Sequence, residues 1–137
     1  MNDCVFCKIV KGEIPTYTIA ENDKFLAFLD LSQFTPGHTI VIPKQHYESI
    51  WDVPNIDEYY KFVKEIGNHF RSIGYKYVDT LTMGRGVFHS HVHVIPHNGN
   101  KNDWRDALQP IADLQEDENR RLNPGEMKTI QKKFQMN

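Results

Sequence analysis

Residues 89–96 read HSHVHVIP, and this stretch restricts the chain more than any other. Side chains two apart on a β-strand point to the same face. His89, His91 and His93 are therefore expected on one face, about 6.5–7 Å apart along the strand. Phe88, Ser90, Val92 and Val94 then fall on the other face, where they can pack on a core. A strand of this kind needs a sheet whose two faces serve different ends.

Three chemistries fit an imidazole row. It can be a solvated polar face. It can hold metal, because His at i and i+2 can chelate one ion. It can carry a nucleophile, because neutral imidazole is available near pH 7 and can form a covalent intermediate. Gly84-Arg85-Gly86 lies directly upstream. Glycines let a backbone approach a ligand, and successive N–H groups can make an anion nest. Joined to the histidine strand, that segment favours phosphate chemistry, with its donors stabilising developing charge.

The rest of the chain reads as an α+β domain of 137 residues. VFCKIV (5–10) predicts a short helix ended by Gly12. Strands are expected at 16–21 and 24–30, joined by the turn residues Asn22-Asp23. HTIVI (38–42) has the continuous apolar character of a buried strand, stopped by Pro43. Tyr59, Phe62, Val63, Ile66 and Phe70 recur at helical spacing, predicting a helix from Asn55 or Asp57 to about Ile73, with Gly74 ending it. Strands at 75–83 and 87–95 flank the GRG turn. After Pro96 the signal weakens, Pro110 argues against one unbroken helix, and PGEMKTIQKKF predicts a last helix with Pro124 in its first turn. EDENRR reads as a solvated face. His69 is expected on the exposed side of the long helix.

Hydrophobic residues make up 39% and charged residues 25%, ordinary for a globular domain. A net charge of -2 argues against a broad nucleic-acid surface. No apolar run approaches a membrane span, and the first residues lack a signal-peptide layout, so a cytoplasmic location is expected. Cys4 and Cys7 form a C-x-x-C with no strand before it. That context favours a metal half-site over a redox pair. Two thiolates leave a tetrahedral site incomplete, so two further ligands must come from elsewhere.

With these residues in view, the chain resembles the histidine triad (HIT) family. HSHVHVI follows the pattern His-φ-His-φ-His-φ-φ, save that Ser90 is not apolar. CVFCKIVKGEIP and FLAFLDLSQFTPGHTIVIPKQHY look like the branch of Hint-type nucleoside phosphoramidases and bacterial HIT proteins. The likeness spans about residues 4–97 of a single domain, with 98–137 unassigned. It implies a HIT-like fold: a meandering antiparallel sheet with one long helix and a short N-terminal helix. It implies a homodimer, as members usually are, that binds nucleotides, often purine, and cleaves nucleoside monophosphate derivatives through a nucleotidyl-histidine; the charge and hydropathy above already set aside nucleic acid and membrane as partners.

Carried over by position, the resemblance makes His91 the nucleophile and His93 the contact to the α-phosphate. His38, in TPGH, becomes a support that orients the nucleophile through hydrogen bonding. Asp30 falls where a carboxylate accepts the ribose hydroxyls. Val5, Phe6, Phe28 and Leu31 match base-pocket positions, and Phe28 reads equally well as core. Gly84, Arg85 and Gly86 match the phosphate-side loop. Cys4, Cys7, His46 and His89 complete a Cys₂His₂ structural zinc site. His97 stands where relatives often carry Arg, and would supply a weaker, pH-dependent charge.

A further departure from the family lies just before the triad. The usual Gly-Gln-Ser/Thr stands here as Gly84-Arg85-Gly86, which removes the hydroxyl that contacts the leaving group. Backbone donors remain, and Arg85 can bind a phosphate. Two rivals to the hydrolase reading follow. One is a nucleotide-binding or interaction protein that has lost efficient turnover. The other is a catalytic metalloenzyme with the ion on several triad histidines.

Overall fold

The computed structural model describes residues 3–100 and 104–136. A short helix α1 (Val5–Val10) precedes the strands β1 (Thr18–Glu21), β2 (Phe25–Leu29) and β3 (Thr39–Pro43). The long helix α2 (Ile56–Ser72) follows, then β4 (Tyr77–Leu81) and β5 (Val92–His97). The five strands form one antiparallel sheet in the order β1-β2-β3-β5-β4. This is the α+β arrangement with the long and short helices that the sequence leads one to expect. Short helices α3 (Trp104–Ala107) and α4 (Gln109–Glu116) and a final α5 (Pro124–Phe134) complete the described chain.

The two faces of the sheet carry separate apolar clusters. Strand alternation sends Phe25, Ala27, Val41, Val92 and Val94 to one face, where Tyr59, Phe62, Val63, Ile66 and Phe70 of α2 cover them. It sends Leu26, Phe28, Ile40 and Ile42 to the other, against Phe6 of α1. Burying a side chain of this size stabilises by about 1.5–3 kcal/mol. Helix α2 ends as Gly74 suggests: its φ is +112°, the Gly74 N–H reaches Arg71 O at 3.1 Å, and the Tyr75 N–H reaches Phe70 O at 3.2 Å. His69 is exposed, as expected.

Two expectations fail near the histidines. The last sheet strand starts at Val92, not at residue 87. Its ladder with β3 runs from Thr39↔Val94 to Val41↔Val92 and then stops. Two registers further on, Pro43 has no N–H to offer. Instead the Ser90 N–H bonds Tyr47 O at 2.7 Å, drawing residues 87–91 toward the chain that leaves β3. Phe88 is the second failure. It lies outside the ladder and is 65% exposed rather than packed on a core.

Pro110 sits at the start of α4, so the region does break where it was expected to. Helix α5 opens with Pro124 and a reciprocal capping box of Asn123 and Glu126. Every residue from 109 to 136 is exposed.

Candidate functional site

The sheet and α1 bring Cys4, Cys7, His46 and His89 together, with one donor atom of each lying within 4.8 Å of all the others. The short helix places the two cysteines one turn apart, and the Cys7 N–H bonds Cys4 Sγ at 3.4 Å. His89 Nε2 lies 2.8 Å from Pro43 O. A carbonyl only accepts, so Nε2 carries the hydrogen and Nδ1 keeps its lone pair. That lone pair faces Cys4 Sγ at 3.4 Å, Cys7 Sγ at 3.5 Å and His46 Nδ1 at 3.2 Å. Cys7 Sγ to His46 Nδ1 is 3.3 Å. Usual zinc bond lengths give a tetrahedron with edges of about 3.3 Å between nitrogens and about 3.6 Å between sulfur and nitrogen. The donor set and its spacing fit a divalent cation. Burial and the adjacent Cys4 raise the Cys7 thiol pKa, whereas a bound cation would hold the thiolate. Burial likewise keeps His89 neutral, as a ligand must be.

His91 is anchored in the opposite sense. Its Nδ1 lies 2.8 Å from His89 O, so Nδ1–H donates and the lone pair of the neutral ring is on Nε2. Its ring stands edge-on to Phe6 at 5.2 Å and to His93 at 5.1 Å. Thr82 Oγ1 donates to His91 O at 2.8 Å, fixing the backbone at the head of β5.

His93 and His38 form a coupled pair, with His38 Nε2 2.9 Å from His93 Nδ1. The hydrogen bond of His38 thus goes to His93, and its effect on His91 passes through that ring. His38 Nδ1 meets Ser32 O at 3.0 Å and the Phe34 N–H at 3.3 Å. It cannot donate to one and accept from the other. The closer carbonyl puts the hydrogen on Nδ1, so Nε2 accepts from His93 Nδ1–H and leaves His93 Nε2 with a lone pair. Burial first, then the neighbouring His91 and His38, push His93 down to about 4. Burial also lowers His38. Asp30 Oδ1 accepts the Ser32 N–H at 2.8 Å, and Oδ2 lies 3.7 Å from His38 Nε2.

The remaining candidates divide. Phe6 and Phe28 meet edge to face at 5.8 Å and are both buried, so Phe28 is part of the core, while Phe6 borders His89 and His91. Val5 is 38% exposed and Leu31 86% exposed, beside Phe6 and Asp30 respectively. Gly86 shares a surface depression of ≈ 380 Å³ with Cys4, Val5 and His46. Gly84 has φ +66°, and Arg85 turns back so that Nη2 donates to Met83 Sδ at 3.2 Å. His97 is buried and donates from Nε2 to Asp79 Oδ2 at 2.7 Å, while its Nδ1 accepts the Gly99 N–H. It is thus engaged on β4.

Two aromatic residues were not singled out from the sequence. Phe34 stacks on His38 with centroids 4.3 Å apart, and Trp104 stacks on Phe34 at 5.1 Å and 3°. No spacing rule joins residues 34 and 104. An aromatic two positions before Pro36 in the TPGH turn is the one hint available.

Comparison with known proteins bears on the family and the fold. The HIT domain model matches residues 11–100. An uncharacterized HIT-like protein of Borreliella burgdorferi is 43% identical over 109 residues, covering 70% of this chain and 76% of that protein. Adenylylsulfatase HINT3 of Arabidopsis thaliana is 35% identical over 103 residues, covering 69% of this chain and 52% of that enzyme. The crystal structure of a HIT family protein from Bacillus anthracis matches with a TM-score of 0.70 and 34% identity, covering 82% of this chain and 94% of the other.

Proposed function

The chain belongs to the HIT domain family, and from that premise we propose that it is a nucleotide-binding hydrolase or transferase that cleaves nucleoside monophosphate derivatives through a covalent bond to His91. One observation carries this reading: the His91 Nδ1–H to His89 O bond leaves the Nε2 lone pair as the free end of the ring. A named relative acts on an adenylyl compound, a nucleoside monophosphate joined to a second acid group.

His91 Nε2 attacks the α-phosphorus. A P–N bond forms as the bond to the leaving group breaks, and the leaving group departs with that electron pair and takes up a proton. Water then attacks the same phosphorus, the P–N bond breaks, and His91 is regenerated. Splitting the displacement in two lowers each barrier. In the free protein His93 is neutral. An arriving phosphate, as a nearby negative charge, favours its protonation at Nε2. His93 then donates to a phosphate oxygen from Nε2 while its Nδ1–H stays on His38. The N–H groups around Gly84 and Gly86 supply further donors. Asp30 accepts from the ribose, and Phe6, Phe28, Val5 and Leu31 border the base, for which a purine is the expected fit.

Cys4, Cys7, His46 and His89 would hold zinc, which would tie α1 to the histidine segment and contribute to folding. Strand β4 is at one edge of the sheet, so pairing with a second copy would extend it and give a homodimer. No helix among the described residues is long and apolar enough to cross a membrane. A cytoplasmic location and a small-molecule partner, with no nucleic acid, complete the reading.

The test is turnover of adenosine and guanosine phosphoramidates, dinucleoside polyphosphates and sugar nucleotides, with His91→Ala as the blank. Release of nucleoside monophosphate by the wild type alone supports an enzyme. Nucleotide binding with no turnover would favour the binding-protein alternative, which the Gly84-Arg85-Gly86 segment keeps in view.

A further inference from the structure

Beside the thiolate cluster, a second set of donors converges: Asp30, His38 and His93 each present one ligand atom within 4.8 Å of the others. We propose that this trio is a second, non-thiolate metal site, which takes a six-coordinate divalent transition ion and in doing so closes the histidine site to nucleotide. The second half of the claim rests on the nucleotide reading above; the first half does not.

The two nitrogens are 2.9 Å apart. An octahedral ion with metal–nitrogen bonds of about 2.1 Å has adjacent ligands about 3.0 Å apart, whereas a tetrahedral one needs about 3.3 Å. The hydrogen bond between the two rings already holds the nitrogens at a separation that adjacent ligands of a six-coordinate ion would need. Two histidines and one carboxylate on one side of an ion leave positions open for water, a set typical of borderline divalent metals.

The supporting contacts are those a ligand set needs. Ser32 O holds the hydrogen of His38 on Nδ1, which turns the Nε2 lone pair toward His93. The Ser32 N–H fixes Asp30 Oδ1, which leaves Oδ2 facing His38 Nε2 at 3.7 Å. A small rotation of the partly exposed carboxylate would close that distance. Phe34, stacked at 4.3 Å, locks the His38 ring. His93 needs one change, moving its hydrogen from Nδ1 to Nε2 through solvent, so proton number is conserved. A neutral histidine pair beside a carboxylate can accept a cation without first losing protons.

This site differs in chemistry from the cysteine cluster. Thiolates there select soft, tetrahedral ions, whereas nitrogen and oxygen here admit nickel or cobalt. An ion on Asp30 and His93 removes the ribose acceptor and the phosphate contact together, so inhibition should be competitive with nucleotide.

The experiment titrates untagged, zinc-loaded protein with Ni²⁺, reading bound nickel by equilibrium dialysis, zinc by metal analysis and coordination by visible absorption. One added nickel per chain is expected, with weak octahedral bands, no thiolate charge-transfer band and zinc retained. Asp30→Asn, nearly isosteric and partly exposed, should weaken nickel binding by about tenfold or more, and His38→Gln likewise; AMP should displace the ion. No nickel binding, or binding unchanged in Asp30→Asn, would overturn the site. AMP that binds the nickel-free protein yet fails to displace nickel would overturn the exclusion of nucleotide. AMP that never binds would count against the nucleotide reading and leave the metal site standing.

Discussion

His91 Nδ1 donates to the carbonyl oxygen of His89 across 2.8 Å, while the His89 ring joins Cys4, Cys7 and His46. The residue assigned to the metal and the residue assigned to phosphorus are thus joined by one peptide carbonyl. Disturbing the first should disturb the tautomer of the second. Cys4→Ser is expected to fail to retain zinc, lower the melting temperature by several degrees and reduce turnover by about 10–100-fold. Metal analysis, thermal melting and kinetics on one preparation check this. Full zinc content in Cys4→Ser would contradict the ligand set.

The His38–His93 pair has a pH signature. Burial, reinforced by His91 and His38, depresses His93 to about 4 from its ordinary 6.5. An unfolded chain therefore binds a proton at this position between those values and the folded chain does not. Stability from this group is intact above pH 6.5, falls as pH drops through the window and reaches its floor below about 4. Imidazole ¹⁵N shifts should show His93 neutral at pH 5 in the free protein and protonated once AMP is bound. A free-protein midpoint near 6.5 would refute the depressed value.

Gly37 has φ +102°, and a Cβ there would lie 2.9 Å from Pro96 Cγ. Gly37→Ala meets both a strained backbone and a close ring, one residue before His38. The expected loss is about 1–3 kcal/mol, read from denaturant midpoints. Unchanged stability would show that the turn relaxes freely.

Much of this arrangement was legible in the sequence. The apolar period of Tyr59, Phe62, Val63, Ile66 and Phe70 located α2, and the alternation through Val92 and Val94 located the strand and its core face. Cys4 and Cys7 could be read as a metal half-site from the C-x-x-C spacing, whereas His46 and His89 were named through the resemblance to the HIT family, since nothing in their spacing ties them to the cysteines. Residues 87–91 did not follow. Alternation continues in the sequence after the hydrogen-bond ladder has stopped, because the stop depends on Pro43, a residue of the neighbouring strand. The resemblance made His38 a support of the nucleophile His91, whereas its hydrogen bond goes to His93, a choice of ring made only in three dimensions. The Trp104–Phe34 stack joins segments that carry no common pattern.

Gly86 offers a direct test of the leaving-group side. Its φ is not in the left-handed region and a Cβ there meets nothing within 4 Å. Gly86→Ser therefore adds a hydroxyl at low steric cost, restoring a group that the family pattern supplies. Turnover of a phosphoramidate should rise by about threefold to tenfold, the worth of one added hydrogen bond in the transition state. No gain would show that the leaving group lies elsewhere.

The central claim is the bond from His91 to phosphorus. The most direct measurement is intact-mass analysis of protein quenched in acid-free denaturant within seconds of mixing with adenosine phosphoramidate. The account predicts a transient species heavier by one adenylyl group, absent in His91→Ala and mapped by peptide fragmentation to His91. Turnover with no such species, or an adduct that persists in His91→Ala, would contradict it.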